Sequence, residues 1–109
     1  MKLRKANRLT DQYRDLVAQF IERNSNRKTL ITITRVEMSK NGKKAMCHLS
    51  VFPPEQEQTG LDFAQRNTSR LRDFVATHSK TKSIPTFSFS LDMGEKNRQR
   101  IEKLLGTKY

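Results

Sequence analysis

An Asn-Gly dipeptide at Asn41 and Gly42 separates two segments rich in β-branched and apolar residues, within residues 30–52. This dipeptide is the one best suited to the positive φ angles of a tight hairpin turn. Apolar residues occupy every second position of the second segment: Ala45, Cys47, Leu49 and Val51. A period of two predicts a strand with one face on a core. The pattern therefore predicts a β-hairpin, which is at best marginally stable alone and needs the rest of the chain to cover it.

The apolar residues of the first segment change parity halfway along. Ile31 and Ile33 share one parity, whereas Val36 and Met38 share the other. The change, at residues 34–35, indicates a β-bulge or a strand that is buried partly on both faces.

An amphipathic helix is predicted at residues 7–23, after a basic tail at residues 1–6. Its apolar residues form one stripe at helical spacing: Leu9, Tyr13, Leu16, Val17, Phe20 and Ile21. After the hairpin, a polar connector is predicted at residues 55–60, and Thr59 is a candidate helix cap. A second helical pattern follows it: Leu61, Ala64, Leu71, Phe74 and Val75.

The second helical pattern is interrupted by Asn-Thr-Ser at residues 67–69, which have weak helix propensity, so we expect a kink or a break there. A loop is predicted at residues 79–84 and a third strand at residues 86–92. A last short helix is predicted at residues 95–105, with Gly106 as its C-terminal stop.

The predicted order is helix, strand, strand, helix-break-helix, strand, helix. Three strands with one apolar face and helices that cover it form an α+β two-layer sandwich. The second and third strands can pair in parallel because a helical crossover separates them. This arrangement is that of a type II KH domain, an RNA-binding fold, with the break in place of the Gly-x-x-Gly loop. We expect a single KH-like domain over residues 1–109, with residues 93–109 as its C-terminal helix.

The charge balance restricts the class of partner. The chain has 22 Lys and Arg residues against 11 Asp and Glu, a formal net charge of +11. Such an excess attracts polyanions, and the candidates are nucleic acid, an anionic membrane or an acidic partner. No apolar run approaches the roughly 18 residues of a membrane span, and the N-terminus does not resemble a secretory signal. The single cysteine, Cys47, has an inward strand position and indicates a reducing compartment, so we expect a cytoplasmic protein.

Four groups of basic residues are candidates for RNA contact. They are Arg66, Arg70 and Arg72 beside the helix break, Lys80 and Lys82 in the loop after it, Lys40, Lys43 and Lys44 around the hairpin turn, and Arg4, Lys5 and Arg8 near the N-terminus. The first group is preferred, because exposed amides and positive side chains can meet a phosphate together at a helix break. The alternatives are ion pairs of these arginines with Asp62 and Asp73, protection of a strand edge by the turn lysines, and a solvated N-terminal tail.

Nothing in the sequence favours an enzyme. His48 and His78 are the only histidines, and neither has metal-ligand spacing to the other or to Cys47. Cys47 and His48 point to opposite faces of a strand, so they cannot form a nucleophile-base pair. There is no P-loop, dinucleotide fingerprint or carboxylate cluster. We therefore expect no catalytic residue, no metal site and no cofactor.

Several features occur in a fixed order along the chain. They are the N-terminal amphipathic helix, Thr-Ile-Thr-Arg-Val-Glu-Met-Ser at residues 32–39 followed by Ala45 and Val51, the apolar-arginine pair Leu71-Arg72, and Lys-Ser-Ile-Pro-Thr-Phe-Ser-Phe-Ser-Leu-Asp at residues 82–92. In this order and spacing they resemble the bacterial ribosome-binding factor A family. The resemblance covers nearly the whole chain.

The resemblance implies a non-enzymatic assembly factor that binds the immature small (30S) ribosomal subunit and its 16S rRNA during rRNA processing and maturation. In bacteria, members of the family support growth in the cold. The family's KH domain lacks the Gly-x-x-Gly loop, and its kinked helix carries an Ala-x-Gly signature. The matching residues here are Asn67-Thr68-Ser69, which depart from that signature. With no Gly-x-x-Gly clamp, phosphate contact by Lys and Arg remains, and it is strongly salt-dependent.

Two alternatives stay open. The chain is a general basic protein that binds double-stranded RNA or DNA, or it is an adaptor that recruits a protein or an anionic membrane. Sedimentation with small rather than large subunits favours the assembly factor, salt-labile binding to any duplex favours the first alternative, and liposome binding without RNA competition favours the second. For the assembly factor we expect a monomer with no membrane partner, and an assembly GTPase is a candidate further partner.

Overall fold

The computed structural model describes residues 2–26, 28–81 and 83–94, with the backbone alone for residues 2–8. The helices are α1 (Lys2–Asn24), α2 (Glu57–Arg66) and α3 (Thr68–His78), the strands are β1 (Leu30–Met38), β2 (Lys44–Phe52) and β3 (Thr86–Leu91), and a 3₁₀ turn spans Pro54–Gln56. Lys82 and the predicted last helix at residues 95–105 lie outside the described residues.

The three strands form one sheet in the order β1-β2-β3. β1 and β2 pair antiparallel, with Leu30 opposite Phe52, and the register shifts between Ile33 and Arg35. The predicted hairpin and bulge are therefore confirmed. The extra residue of the bulge allows both Ile33 and Val36 to pack against the core. β2 and β3 pair in parallel, as the helical crossover between them predicts.

The hairpin turn depends on both residues of the Asn-Gly dipeptide. Gly42 has a φ of 74°, in the left-handed region that glycine enters without a Cβ clash. Asn41 Oδ1 accepts hydrogen bonds from the Lys43 amide at 2.9 Å and from the Ser39 hydroxyl at 2.8 Å. The Ser39 amide donates to Lys44 O at 2.9 Å. The side chains of Asn41 and Ser39 and one glycine thus close the turn between β1 and β2.

The helices cover one face of the sheet, and the core lies between the two layers. α1 packs on β1 and α3, whereas α2 packs on β2 and β3. Both layers supply the buried apolar residues: Tyr13, Val17, Phe20, Ile21, Ile33, Ala45, Cys47, Leu49, Val51, Ala64, Leu71, Val75, Phe87 and Phe89. The other face of the sheet is open, and Leu30 and Phe52 at one end of it are 65% and 64% exposed. This is the predicted α+β two-layer sandwich.

The start of α1 differs from the prediction. The helix begins at Lys2 rather than at residue 7, so the predicted basic tail at residues 1–6 is helical from residue 2. Lys, Leu, Arg and Ala in this segment are strong helix formers, and no Gly or Pro interrupts them. The apolar stripe from Leu9 to Ile21 therefore does not mark the start of α1.

The start of α2 also differs from the prediction. The helix begins at Glu57, although the sequence predicts a polar connector at residues 55–60 with Thr59 as the cap. A 3₁₀ turn that begins at Pro54 leads directly into α2, because proline fixes φ near its helical value. Gly60 is thus a buried helical residue, and its missing side chain lets α2 approach β2 closely.

The crossover helix breaks at Asn67, as predicted. Asn67 has φ −106° and ψ 15°, and its amide donates to Ala64 O at 3.1 Å, one residue short of the α-helical partner. Asn67 Nδ2 donates to Phe63 O at 2.8 Å, so the side chain occupies the carbonyl that a continuous helix would satisfy with a backbone amide. The Leu71 amide then donates to Asn67 O at 2.9 Å and starts α3. The break therefore requires neither glycine nor a positive φ.

Candidate nucleic-acid interface

α1 and α3 lie side by side and run in opposite directions. Asn24, at the end of α1, accepts a hydrogen bond from Arg70, near the start of α3, at 3.2 Å. Tyr13, in the middle of α1, is hydrogen-bonded to Thr81, beyond the end of α3, with 3.1 Å between the hydroxyl oxygens. From Tyr13, the backbone of α1 continues toward Lys2 at about 1.5 Å per residue. The N-terminal part of α1 therefore extends past the C-terminal end of α3.

The hairpin turn lies at this same end of the molecule. The Thr86 amide, at the start of β3, donates to Lys43 O at 2.9 Å, and Lys44 is opposite Thr86 in the parallel register. The described residues between α3 and β3, 79–81 and 83–85, lead from the end of α3 to this point. We call this region the basic end, and its residues are Lys40, Lys43 and Lys44 of the turn, Lys80 of the loop, and Arg4, Lys5 and Arg8 of the α1 backbone.

The lysine side chains of the basic end are exposed: Lys40, Lys43, Lys44 and Lys80. Within the part of the chain that the structure describes, none of them forms an ion pair. The acidic residue near Lys44 is Glu37, which instead pairs with Arg35 and His48. The acidic residue near Lys80 is Asp15, which instead lies 3.9 Å from Arg14. Exposed ammonium groups that no carboxylate neutralises attract polyanions. The fold thus brings together three basic groups that are separate in the sequence.

The arginines beside the helix break are exposed, but two of them bind different neighbours. Arg70 donates from Nη1 to Asn67 Oδ1 at 3.1 Å and from Nη2 to Asn24 Oδ1 at 3.2 Å. Arg72 donates from Nη2 to Ile84 O at 3.3 Å. Arg70 therefore connects α3 to α1, whereas Arg72 connects α3 to the segment before β3.

Arg66, at the end of α2, makes no side-chain hydrogen bond or ion pair with any described residue. The alternative ion pairs with Asp62 and Asp73 are likewise absent among the residues described. Asp62 Oδ1 instead accepts a hydrogen bond from Gln58 Nε2 at 2.8 Å. Of the three arginines, Arg66 is the one whose charge has no other role in the described structure.

A groove of about 460 Å³ lies between α1 and α3. Phe20 and Phe74 line it with ring centroids 5.7 Å apart, and Arg23 Cζ lies 5.6 Å from the Phe74 centroid. Arg70 Cζ lies 5.9 Å from the Phe20 centroid, and His78 stacks on Phe74 with 4.1 Å between centroids. Neither Arg23 nor His78 is among the sequence-predicted contacts. The available signal is helical spacing, since Arg70, Phe74 and His78 at i, i+4 and i+8 share one helix face.

The open face of the sheet carries a polar cluster with both signs of charge. Glu37 Oε1 is 2.7 Å from His48 Nε2, and Arg35 Nη1 donates to Glu37 Oε2 at 3.2 Å. The Thr34 hydroxyl donates to Asp92 Oδ2 at 2.5 Å. The hydrogen bond from His48, with the charge of Arg35, lowers the pKa of Glu37 below its usual value of 4.5. Because carboxylates offset the cations here, this face attracts polyanions less strongly than the basic end does.

The described residues contain no arrangement for metal or nucleophilic chemistry. Burial raises the pKa of the Cys47 thiol to about 12, so this residue is a thiol and not a thiolate at neutral pH. Among the residues described, no group of three or more His, Cys, Asp and Glu side chains could hold a metal ion. None of the described helices combines the length and the apolar character needed to cross a membrane.

Comparison with known proteins identifies the family of the chain. The family model for ribosome-binding factor A matches residues 5–105. Ribosome-binding factor A of Thermomicrobium roseum is 31% identical over 101 residues, which cover 90% of this chain and 78% of the relative. The crystal structure of ribosome-binding factor A from Thermus thermophilus has the same fold, with a TM-score of 0.71 at 22% identity, over 78% of this chain and 92% of that chain.

A homology model of Thermus thermophilus ribosome-binding factor A, fitted into the cryo-EM map of a complex of that protein with 30S, also has this fold. Its TM-score is 0.66 at 21% identity, over 77% of this chain and 91% of that chain. The family model spans nearly the whole sequence, and the curated relative and the solved structures carry the same name. The chain therefore belongs to the ribosome-binding factor A family.

Proposed function

We propose that this protein is a non-enzymatic assembly factor that binds the immature 30S subunit and its 16S rRNA during rRNA processing and maturation. The observation that carries the proposal is the convergence of the hairpin turn, the loop after α3 and the start of α1 at the basic end. The 30S complex of the Thermus thermophilus relative supports the choice of the small subunit as the partner.

The basic end supplies the chemistry for this binding. Lys40, Lys43, Lys44 and Lys80 are exposed and can each contact a phosphate, and we assign the same role to Lys82 and to Arg4, Lys5 and Arg8. A Lys ammonium is a point charge and reads no base, so recognition depends on where the phosphates of a folded RNA lie. We therefore expect shape-dependent binding with a strong salt dependence.

The arginines at the helix break form a second group of proposed contacts. Arg66 is the strongest candidate, because its side chain has no other described partner. Arg70 and Arg72 can add contacts through guanidinium N–H groups that their structural hydrogen bonds leave unused. Under this proposal the protein acts as a single KH-like domain, as a cytoplasmic monomer without a cofactor. Support of growth in the cold and an assembly GTPase partner belong to the same proposal.

Co-sedimentation with ribosomal particles tests the function. We expect recovery with 30S precursors rather than with 50S subunits, and a large loss of binding between about 50 mM and about 200 mM salt. Equal binding to any duplex would instead support a general basic RNA- or DNA-binding protein. Liposome binding that RNA does not compete would support a membrane adaptor.

Two charge-matched variants test the surface. Lys43→Glu reverses a charge at the basic end, whereas Lys28→Glu reverses the charge of another exposed lysine just before β1, at the opposite end of the sheet. We expect Lys43→Glu to weaken 30S association about tenfold and to reduce the salt slope by about 1, with little change for Lys28→Glu. Equal effects of the two variants would show that net charge and not the basic end determines binding.

A further inference from the structure

We propose that the groove between α1 and α3 is a binding site for one unpaired nucleotide of an RNA. In this site the phosphate contacts Arg23 and Arg70, and the base stacks next to His78. The inference rests on the proposed function, since it specifies which RNA feature the chain recognises beyond phosphates at the basic end. The groove and the basic end are different places, because the groove lies along α1 and α3 and the hairpin turn does not contribute to it.

The cations of the groove have unused donors. Arg23 lies over the Phe74 ring at 5.6 Å, and its guanidinium has no hydrogen-bond or ion-pair partner among the described residues. Arg70 uses Nη1 and Nη2 once each, on Asn67 and Asn24, so three of its five N–H donors remain. Asp73 also lines the groove but forms no ion pair with either arginine. Two guanidiniums held on aromatic rings are suited to a planar, anionic ligand such as a nucleotide.

The rings of the groove provide a stacking surface. Phe20, Phe74 and His78 form a continuous series, with centroid distances of 5.7 Å and 4.1 Å. His78 Nδ1 is 2.8 Å from Phe74 O, and a carbonyl only accepts, so Nδ1 carries the proton and the ring is held in one orientation. Phe74 covers one face of this exposed imidazole. The opposite face can receive a base, because every nucleobase has a π-face that stacks on such a ring.

The groove is also continuous with the proposed RNA interface. A second cavity of about 410 Å³ is lined by His78, which also lines the groove, and by Ser79 and Lys80. The space between α1 and α3 therefore leads from the groove to the basic end. The volume of about 460 Å³ falls within the roughly 300–1,000 Å³ of typical small-ligand sites. A base in a duplex is stacked on both faces and cannot reach His78. The site therefore selects a bulged or looped-out nucleotide.

A pair of RNA hairpins tests the inference, one with a single bulged adenosine in its stem and one that is fully paired. We expect the wild-type protein to bind the bulged hairpin about tenfold more tightly, because the stacking of one base contributes a free energy of that order. His78→Ala and Arg23→Gln should each remove most of this preference. His78→Phe should retain it, because the stacking surface survives.

The control variant Lys28→Gln removes one positive charge outside both the groove and the basic end, and should leave the affinity for each hairpin nearly unchanged. Equal affinity of the wild-type protein for the two hairpins, or no binding to either, overturns the nucleotide site. The proposed function is judged separately by co-sedimentation with 30S precursors. Retention of the bulge preference in both His78→Ala and Arg23→Gln would also overturn the nucleotide site.

Discussion

The hydroxyl groups of Tyr13 and Thr81 are 3.1 Å apart, although 68 residues separate them in the sequence. Tyr13 is 1% exposed, and its ring packs edge-on against Phe87 with 5.9 Å between centroids. This contact holds the middle of α1 beside the loop that carries Lys80. The position of the basic N-terminal segment therefore depends on a residue of the core.

Replacement of Tyr13 by Phe keeps the ring and removes the hydroxyl. We expect the free energy of unfolding to fall by about 1 kcal/mol, the usual contribution of one hydrogen bond, with an unchanged urea m-value. Thr81 keeps a partner in Ser79, whose hydroxyl oxygen is 2.9 Å away, which limits the loss. Tyr13→Ala should cost about 3–5 kcal/mol, because it also leaves a cavity. Equal losses of unfolding free energy for Tyr13→Phe and Tyr13→Ala would contradict this separation of the hydrogen bond from the packing of the ring.

Gly60→Ala tests the close approach of α2 to the sheet. A Cβ at this position would lie 2.9 Å from Val51 Cγ2 and 3.1 Å from Val51 Cγ1. Overpacking costs about 1–3 kcal/mol, which exceeds the gain of about 1 kcal/mol in helix propensity, so we expect a net loss of stability in urea unfolding. In a Val51→Ala background the contact disappears, and Gly60→Ala should become stabilising. The same cost in both backgrounds would show that Val51 is not the obstacle.

The double variant Asn67→Ala/Ser69→Gly introduces the family's Ala-x-Gly at the helix break. We expect it to lower the free energy of unfolding by about 1–2 kcal/mol. Asn67→Ala removes the donor to Phe63 O and the acceptor for Arg70, and Ser69→Gly adds about 0.5–1 kcal/mol of backbone entropy cost in α3. Urea unfolding of the single and double variants separates the two effects. A double variant as stable as the wild type would mean that the Asn67 side chain does not maintain the break.

Glu37→Gln tests the lowered pKa on the open sheet face. Because the folded pKa is below 4.5, the carboxylate stabilises the fold above that pH, and this contribution is lost as the pH falls through the folded pKa. We expect the variant to have a lower Tm than the wild type at about pH 7 and the same Tm at about pH 2. Glu22→Gln, on the exposed side of α1, serves as the control. A Tm difference for Glu37→Gln that persists in acid would arise from the amide and not from the lost charge.

Cys47 should be unreactive in the folded protein. Its side chain is fully buried in β2, so a reagent cannot reach the sulfur. Burial also raises its pKa to about 12, so the reactive thiolate does not form at neutral pH. We expect negligible labelling by iodoacetamide under native conditions and full labelling in urea, with a midpoint equal to that of unfolding. Rapid native labelling would contradict the position of this strand in the core.

The elements predicted correctly are those with local signals. Asn41 and Gly42 specify the turn, the parity change between Ile33 and Val36 specifies the bulge, and Asn67 marks the break. Each signal acts within a few residues, so it can be read along the chain. The helix starts are less accurate, because the periodic apolar pattern that marks each helix in the sequence begins later, at Leu9 for α1 and at Leu61 for α2.

The candidate site was only partly predictable. The basic residues are visible in the sequence, but the basic end depends on the hydrogen bond between Thr86 and Lys43 and on the antiparallel packing of α1 and α3. Arg70 and Arg72 are two residues apart, so helix geometry places them on different sides of α3. The groove joins Arg23 and Arg70 through the packing of Phe20 and Phe74, and no local pattern encodes such a pairing.

The parallel pairing of β2 with β3 implies an order of folding. The β1-β2 hairpin closes a short loop and can form early, whereas β3 must return across residues 53–85 before it can pair. We expect the Thr86 bond to Lys43, and with it the basic end, to form only in that late step. A chain that is still being synthesised already contains the lysines of the turn, but it does not have the basic end until β3 has paired with β2. We therefore expect high-affinity RNA binding to arise only once folding is complete.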